Sequence, residues 1–253
     1  MQTLKGRTCI FAGGSGGDGV DTVKALCAAG MNVILMTHMP EQAQALVDEI
    51  AAGDYMGICI ATTEGMAGSA DGNDVYAKIA ETYGSIDVVI TNTGADGVKD
   101  DMETLDFAQI AKDIENLAGG SFKMMQRALP YLKKSRAPRV IFMTTVEGCN
   151  GGTHESFSNA VAKGAVRSLI LNSAARLAKY GITVNGISKG AIPRTVGHMD
   201  EGAPKPEEIL DKIPLGRIGS PEDLAGAICF FASEESSFIT GEILELSGGL
   251  QLG

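Results

Sequence analysis

Short apolar runs alternate with longer amphipathic segments along almost the whole chain. Successive apolar positions within one run are typical of strands that are buried on both faces of a parallel sheet. Such runs predict strands at residues 8–12, 32–37, 56–61, 86–91, 140–144, 183–187 and 243–246. The segments between them are long enough for crossover helices, which are predicted at residues 20–29, 41–51, 75–83, 107–118, 122–134, 160–180 and 221–232.

This order of elements predicts one α/β domain that spans residues 1–253. Strands that alternate with helices form a doubly wound, Rossmann-like parallel sheet, here of about seven strands with helices on both faces. No repeat or linker interrupts the order. Because 44% of the 253 residues are hydrophobic, the chain can bury one substantial core.

The charge and hydropathy of the chain exclude two classes of partner. Lys and Arg number 21 against 31 Asp and Glu, and the formal net charge is −10. The positive residues are scattered, so we expect neither nucleic acid nor an anionic membrane as a partner. No apolar run approaches the roughly 20 residues that cross a bilayer. Residues 1–7 lead into the first strand without an apolar export segment, which predicts a soluble cytoplasmic protein.

The cysteine pattern is typical of reduced thiols. The chain has 5 cysteines, an odd number, at widely spaced positions: Cys9, Cys27, Cys59, Cys149 and Cys229. Most lie among apolar neighbours, which favours packing in the core over disulfides or a zinc site, so we predict no metal. Cys149 alone lies near the predicted active site, and we expect it to have a packing role too.

A glycine-rich turn follows the first predicted strand and precedes a helix. Gly13, Gly17 and Gly19 remove side chains where the diphosphate of a dinucleotide approaches the backbone. The start of the helix offers amide donors to those phosphates. A purely structural turn would also use glycine, but the strand-turn-helix context favours cofactor binding.

Further segments, in order along the chain, resemble the motifs of one enzyme family. The matching segments are residues 12–19, 91–94, 144–148, 159–163, 181–187, 213–223, 239–241 and 248–249. Together they resemble the short-chain dehydrogenase/reductase family over nearly the whole chain. The resemblance implies an oxidoreductase that passes a hydride between a nicotinamide dinucleotide and a carbonyl or alcohol.

The resemblance also implies roles for individual residues. Lys163 would hold the nicotinamide ribose, Thr145 would replace the family's catalytic serine, and Asn116 matches its helix asparagine in a segment one residue longer than usual. The cofactor would contact Gly13, Ser15, Gly17, Asp18, Gly19, Thr37, His38, Asn92, Gly94, Lys163, Lys189, Gly190 and Ile192.

Asn159 is the main departure from the family, because the catalytic tyrosine is expected there. A carboxamide does not ionise near neutral pH and cannot relay a proton as a phenol does. Counting forward from Thr145 reaches Ser158 instead, which indicates a one-residue insertion. His154 is the only nearby group that titrates near neutral pH, and a solvent-facing loop position is the alternative for it.

Two charged residues replace apolar ones beside the expected cofactor. Asp18 follows the glycine turn, and Lys189 replaces the family's proline. An acid beside a diphosphate repels it unless the acid is neutralised, so one interpretation is an Asp18–Lys189 pair. The other interpretation is that Asp18 is a carboxylate at a helix N-terminus, favoured by the helix dipole.

The cofactor can be NAD or NADP. An NAD-specific site carries an acid at the end of the second strand, where this chain has Thr37. The absence of that acid slightly favours NADP. Neither Ser15 nor Gly16 supplies a basic side chain for a 2′-phosphate, and His38 is a cation only when protonated.

Two functions fit the sequence, and we favour the enzyme. An NAD(P)-dependent oxidoreductase can act on a small carbonyl, alcohol or conjugated enone, since an enolate needs donors such as Thr145 and Asn159 more than an immediate proton. Water or His154 would then protonate the carbon. The alternative is a catalytically silent subunit for dinucleotide binding or assembly.

Residues 191–212 are the predicted substrate lid, and the C-terminal motifs predict a homotetramer.

Overall fold

The computed structural model describes residues 4–63, 75–94, 102–151, 156–192 and 210–252. The strands in these ranges are β1 (Thr8–Ala12), β2 (Asn32–Met36), β3 (Cys59–Thr62), β4 (Val88–Thr91), β5 (Arg139–Thr145), β6 (Thr183–Lys189) and β7 (Ile243–Leu246). The α-helices are α1 (Gly19–Ala28), α2 (Pro40–Ala52), α3 (Val75–Tyr83), α4 (Phe107–Ile114), α5 (Gly120–Leu132), α6 (Glu147–Asn150), α7 (Phe157–Leu177) and α8 (Pro221–Ala232).

The described strands form one parallel sheet in the order β3-β2-β1-β4-β5-β6-β7. The order reverses between β1 and β4, so the chain leaves β1 toward one edge and later returns to β1's other side. In sheets of this kind, ligands bind in the crevice at that reversal, beyond the carboxyl ends of the strands. The predicted doubly wound α/β fold is confirmed.

Two hydrophobic clusters cover the two faces of the sheet. One includes Phe142 of β5 with Val166 and Ile170 of α7. The other includes Met143 of β5 with Val23 of α1 and Ile228 of α8. Adjacent residues of β5 therefore point into different layers, as the two-residue period of a strand requires. Burial on both faces explains why the strands are continuous apolar runs.

Helix boundaries differ from the prediction at two functionally important places. The predicted helix 107–118 ends at Ile114, and a π-helical turn over Glu115–Gly119 leads directly into α5. A π-turn takes up one extra residue without breaking a helix, which fits the longer segment seen in the sequence. Helix α7 begins at Phe157 rather than at residue 160, because the Ser156 side chain caps it by accepting a hydrogen bond from the Asn159 amide.

The cysteine prediction is confirmed except at one residue. Cys9, Cys27, Cys59 and Cys229 are buried or half-buried free thiols. Burial raises the pKa of Cys27 and of Cys59 to about 12, so these thiols stay protonated and unreactive. The expected packing role of Cys149 is wrong, because it lies exposed in the short helix α6.

None of the helices in the described part of the chain is long and apolar enough to cross a membrane. The same part also contains no group of three or more His, Cys, Asp or Glu side chains that could hold a metal ion.

Candidate functional site

The glycine turn after β1 packs directly against the end of β4. Gly13 has φ 81°, and a Cβ added there would lie 2.2 Å from the backbone oxygen of Asn92. A Cβ on Gly19 would lie 2.3 Å from the backbone oxygen of Gly13. These two positions therefore exclude every residue with a side chain. At Gly16 the nearest atoms to an added Cβ are 3.9 Å away, so this part of the turn is open.

This open turn at the start of α1 fits a diphosphate. Gly17 has φ 54° and Gly16 offers a backbone without a side chain, as close approach of a phosphate requires. Asp18, at the N-cap of α1, is the feature that opposes an anion there. The fit therefore depends on what neutralises the Asp18 carboxylate.

Lys189 supplies that neutralising charge, in a closed network of three side chains. Its Nζ lies 2.6 Å from Asp18 Oδ2 and 2.9 Å from Asn92 Oδ1. Asn92 Nδ2 in turn donates to Asp18 Oδ1 at 2.7 Å. We call Asp18, Asn92 and Lys189 the crevice network. Asp18 and Asn92 follow β1 and β4, and Lys189 ends β6, so the network spans the strand reversal.

The two interpretations of Asp18 both describe part of its geometry. It occupies the N-cap position of α1, but its side chain makes no capping hydrogen bond to the helix amides. The ion pair with Lys189 is the dominant contact, with only 12% and 17% of the two side chains exposed. The predicted Asp18–Lys189 pair is confirmed.

Three predicted cofactor contacts lie in the glycine turn and directly after β2: Ser15, Thr37 and His38. Ser15 Oγ and Thr37 Oγ1 are 2.8 Å apart, and both residues are buried. The Met39 amide also donates to Thr37 Oγ1 at 2.9 Å. His38 is exposed. The Thr37 hydroxyl is therefore engaged within the protein, while the His38 side chain faces solvent.

Lys163 lies on α7, with its ammonium at the ends of β4 and β5. Its Nζ donates to the Thr93 backbone oxygen at 2.8 Å and lies 3.5 Å from that of Met143. The Thr144 hydroxyl donates to the Lys163 backbone oxygen at 3.0 Å. A Cβ on Gly148 would come within 2.9 Å of the Lys163 backbone, so α6 packs closely on α7. These contacts hold the lysine rigidly in place.

Thr145 and Asn159 are the residues that the motif resemblance matches to the family's serine and tyrosine. Asn159 is buried and lies one helical turn before Lys163, so both side chains project from one face of α7. The Thr145 hydroxyl is buried and has no hydrogen-bond partner among the described residues. A buried hydroxyl without a partner costs free energy, and a ligand in the crevice is one group that can supply the missing bond.

Ser158, the other residue reached by counting, is turned toward a buried acid. Its hydroxyl donates to Asp113 Oδ2 of α4 at 2.6 Å and lies 2.8 Å from Ser156 Oγ. Gln109 Nε2 also donates to Asp113 at 3.1 Å. Asp113 was missed by the sequence analysis, although a signal existed: it lies on the apolar stripe of Ile110 and Leu117 at helical spacing.

The remaining predicted residues have varied positions. Asn116 is exposed within the π-turn, and its predicted role stays untested. Gly94 is exposed. Gly190 packs against Ser247, since a Cβ added to Gly190 would lie 2.8 Å from the Cα atom of Ser247. Ile192 is half-buried at the last residue before a gap. His154 and most of the predicted lid, residues 193–209, lie outside the described residues.

Fold and site together define an α/β protein of the Rossmann type, with a glycine turn and a fixed lysine at the strand reversal. Comparison with known proteins identifies the family. Residues 15–251 match a family model described as enoyl-(acyl carrier protein) reductase. The chain is 30% identical to the 3-oxoacyl-(acyl-carrier-protein) reductase FabG of Thermotoga maritima, over 98% of each chain. It belongs to the short-chain dehydrogenase/reductase family, as its motifs predicted.

Other relatives support the same assignment. The chain is 28% identical to L-rhamnose 1-dehydrogenase (NAD(P)+) from a Sphingomonas species, over 99% of this chain and 98% of that one. Among solved structures, a short-chain dehydrogenase/reductase from Mycobacterium marinum superposes with a TM-score of 0.85 at 24% identity, covering 99% and 98% of the two chains. These relatives are oxidoreductases, and the structural match shows the shared fold.

The crevice network predicts energetic coupling between Asp18 and Lys189. In a double-mutant cycle with Asp18→Asn and Lys189→Gln, the unfolding free energies should deviate from additivity by about 0.5 kcal/mol or more, since the side chains touch. Urea unfolding of the two single variants and the double variant measures the coupling.

The matched control is the Lys24–Glu49 pair, which has a similar distance of 2.7 Å but is more exposed. The cycle with Lys24→Gln and Glu49→Gln should give a smaller coupling, because solvent screens exposed charges. Strict additivity for Asp18 and Lys189 would mean that the two side chains are not energetically coupled in the folded state.

Proposed function

We propose that this protein is an NAD(P)-dependent reductase of a carbon–carbon double bond conjugated to a carbonyl. The observation that carries the proposal is the buried Thr145 hydroxyl, which has no hydrogen-bond partner among the described residues. Thr145 ends β5, and hydrogen bonds from Thr144 to Lys163 and from Lys163 to Met143 join that strand to α7. A substrate oxygen would complete the hydrogen bonding of the Thr145 hydroxyl. Asn159, at the position of the missing tyrosine, keeps a donor but no titratable proton.

This reaction suits a site that has donors and lacks a phenol. The bound cofactor would supply the hydride to the β-carbon of the substrate. Thr145 and the amide of Asn159 would donate hydrogen bonds to the carbonyl oxygen as negative charge develops on it. The resulting enolate takes a proton from water at the α-carbon, which yields the saturated carbonyl compound. No protein side chain has to give up a proton in this sequence.

The description of the matching family model favours the same reaction. An enoyl group is a carbon–carbon double bond conjugated to a carbonyl, and residues 15–251 match the enoyl reductase model. Reduction of a simple carbonyl is the second candidate, because relatives are named 3-oxoacyl reductase and L-rhamnose dehydrogenase. In that case a water molecule held by Lys163 would protonate the alkoxide.

The cofactor residues support either dinucleotide, with NADP slightly preferred. The open glycine turn would hold the diphosphate, and Lys163 would hold the nicotinamide ribose. The exposed His38 would approach a 2′-phosphate, and neither residue directly after β2, Thr37 or His38, is an acid that would repel it. One relative is named as a dehydrogenase that uses NAD(P)+, a name that includes both cofactors.

The protein of this proposal is a soluble cytoplasmic homotetramer that acts on a small molecule. Phe238 is fully exposed in the segment between α8 and β7, and Phe230 of α8 is also exposed. Large exposed aromatic residues are typical of surfaces that another subunit covers. The C-terminal motifs of the family lie in the same region.

The first prediction is saturable binding of a reduced nicotinamide dinucleotide. Titration followed by nicotinamide fluorescence should saturate, and Gly17→Trp should abolish binding because the indole fills the space of the diphosphate. Gly84→Trp is the matched control: Gly84 also has positive φ, at 83°, but lies in a turn before β4. Absence of saturation by NADH and NADPH at millimolar concentration would defeat the enzyme proposal in favour of the silent subunit.

The second prediction concerns the missing proton donor. Asn159→Tyr places a phenol one turn before Lys163, where the ammonium lowers its pKa. General acid catalysis is worth about 10²–10⁴-fold, so carbonyl reduction should rise by an amount in this range, whereas enone reduction need not rise. Rates with NADPH across a panel of carbonyl and enone substrates measure the change.

Asn172→Tyr is the control for that experiment, since Asn172 lies exposed further along α7. Both variants must first show a wild-type melting temperature and bind cofactor. A folded, cofactor-saturated Asn159→Tyr protein without a gain in carbonyl reduction would mean that more than the proton donor has changed.

The third prediction is the tetramer. Light scattering at tens of micromolar should give four times the chain mass of 26.3 kDa. Phe238→Asp should lower the mass, since a buried charge without a partner is costly at an interface. A monomer mass for the wild-type protein would refute the assembly.

A further inference from the structure

The crevice network lies next to the residues proposed to carry the chemistry. Lys189 and Thr145 are register partners at the ends of β6 and β5. On the other side, Lys163 donates to the backbone of Thr93, the residue that follows Asn92. The network therefore adjoins the proposed hydride-transfer site from two directions. Hydride transfer requires the nicotinamide ring to lie in that site.

The network has two opposite charges and no net charge of its own. Asp18 contributes a carboxylate, Lys189 an ammonium, and Asn92 a neutral amide that bonds to both. Both charged side chains are mostly buried, at 12% and 17% exposure. Charges in such a place act over several ångströms with less screening than at the surface.

The two redox states of a nicotinamide ring differ by one unit of charge. The oxidised ring is a cation and the reduced ring is neutral, while the diphosphate has the same charge in both states. A carboxylate near the ring therefore favours the oxidised form, and an ammonium favours the reduced form. An effect on the diphosphate would change the affinity for both forms equally.

We infer that Asp18 and Lys189 together set the relative affinity of the site for oxidised and reduced nicotinamide dinucleotide. The pair balances the field at the ring, so that neither form is bound at the expense of the other. This inference rests on the proposed function, because it requires a dinucleotide in the crevice. It assigns the two residues a role in the direction of hydride transfer, in addition to holding the cofactor.

The test is equilibrium binding of NADP+ and NADPH to the intact protein, by calorimetry and without substrate. Asp18→Asn should raise the ratio of the dissociation constant for NADP+ to that for NADPH, and Lys189→Gln should lower it. Each shift should be on the order of threefold to tenfold. The double variant should return toward the wild-type ratio, and Lys189→Arg, which keeps the charge, should preserve it.

Glu49→Gln and Lys24→Gln are the matched controls, because they remove the same charges from a more exposed ion pair that joins α1 and α2. Both should leave the ratio unchanged. If Asp18→Asn does not fold, the ratios for Lys189→Gln and Lys189→Arg decide the question. Equal changes for both redox forms, or an unchanged ratio, would overturn the inference alone. Failure of the wild-type protein to bind either form would overturn the proposed function as well.

Discussion

The close contact between the glycine turn after β1 and the end of β4 is the constraint on which the rest of the site depends. Gly13 approaches the backbone of Asn92 so closely that no side chain fits between them. This contact places the N-terminus of α1 directly over the strand reversal and sets Asp18 beside Asn92. Lys189 then reaches across from β6 to complete the crevice network. A methyl group at Gly13 would clash with the Asn92 backbone, so the turn and the end of β4 would have to move apart.

Helix α7 provides the second half of the site, and its position is set from two sides. At its start, Ser156 caps the helix and Ser158 binds the buried Asp113 of α4. Farther along, the Thr144 hydroxyl and the close approach of Gly148 hold the backbone of Lys163 against β5. The orientation of Asn159 follows from these contacts. Asn159 lies one helical turn before Lys163 on the same buried side of α7, which is the spacing that the family resemblance predicts for the tyrosine and the lysine.

The departures from the family compensate one another electrostatically. Asp18 introduces a negative charge where the diphosphate would bind, and Lys189 introduces a positive charge within direct contact. The loss of a titratable group at position 159 leaves hydrogen-bond donors in place. A reaction that needs an oxygen polarised, rather than protonated at once, is compatible with both changes. Under the proposed function, a site that polarises the substrate oxygen would need no tyrosine at position 159.

The sequence alone determined the fold and the family, because apolar runs and glycine spacing are local features that report directly on strands and turns. It also indicated the Asp18–Lys189 pair, but only through the family's motif positions, since the two residues are 171 positions apart. The Asp113–Ser158 bond, the π-turn, the start of α7 and the exposure of Cys149 were decided by tertiary structure. Each depends on how the helices pack against one another and against the sheet. That packing brings together residues that are far apart in the sequence, and local sequence patterns do not predict such contacts.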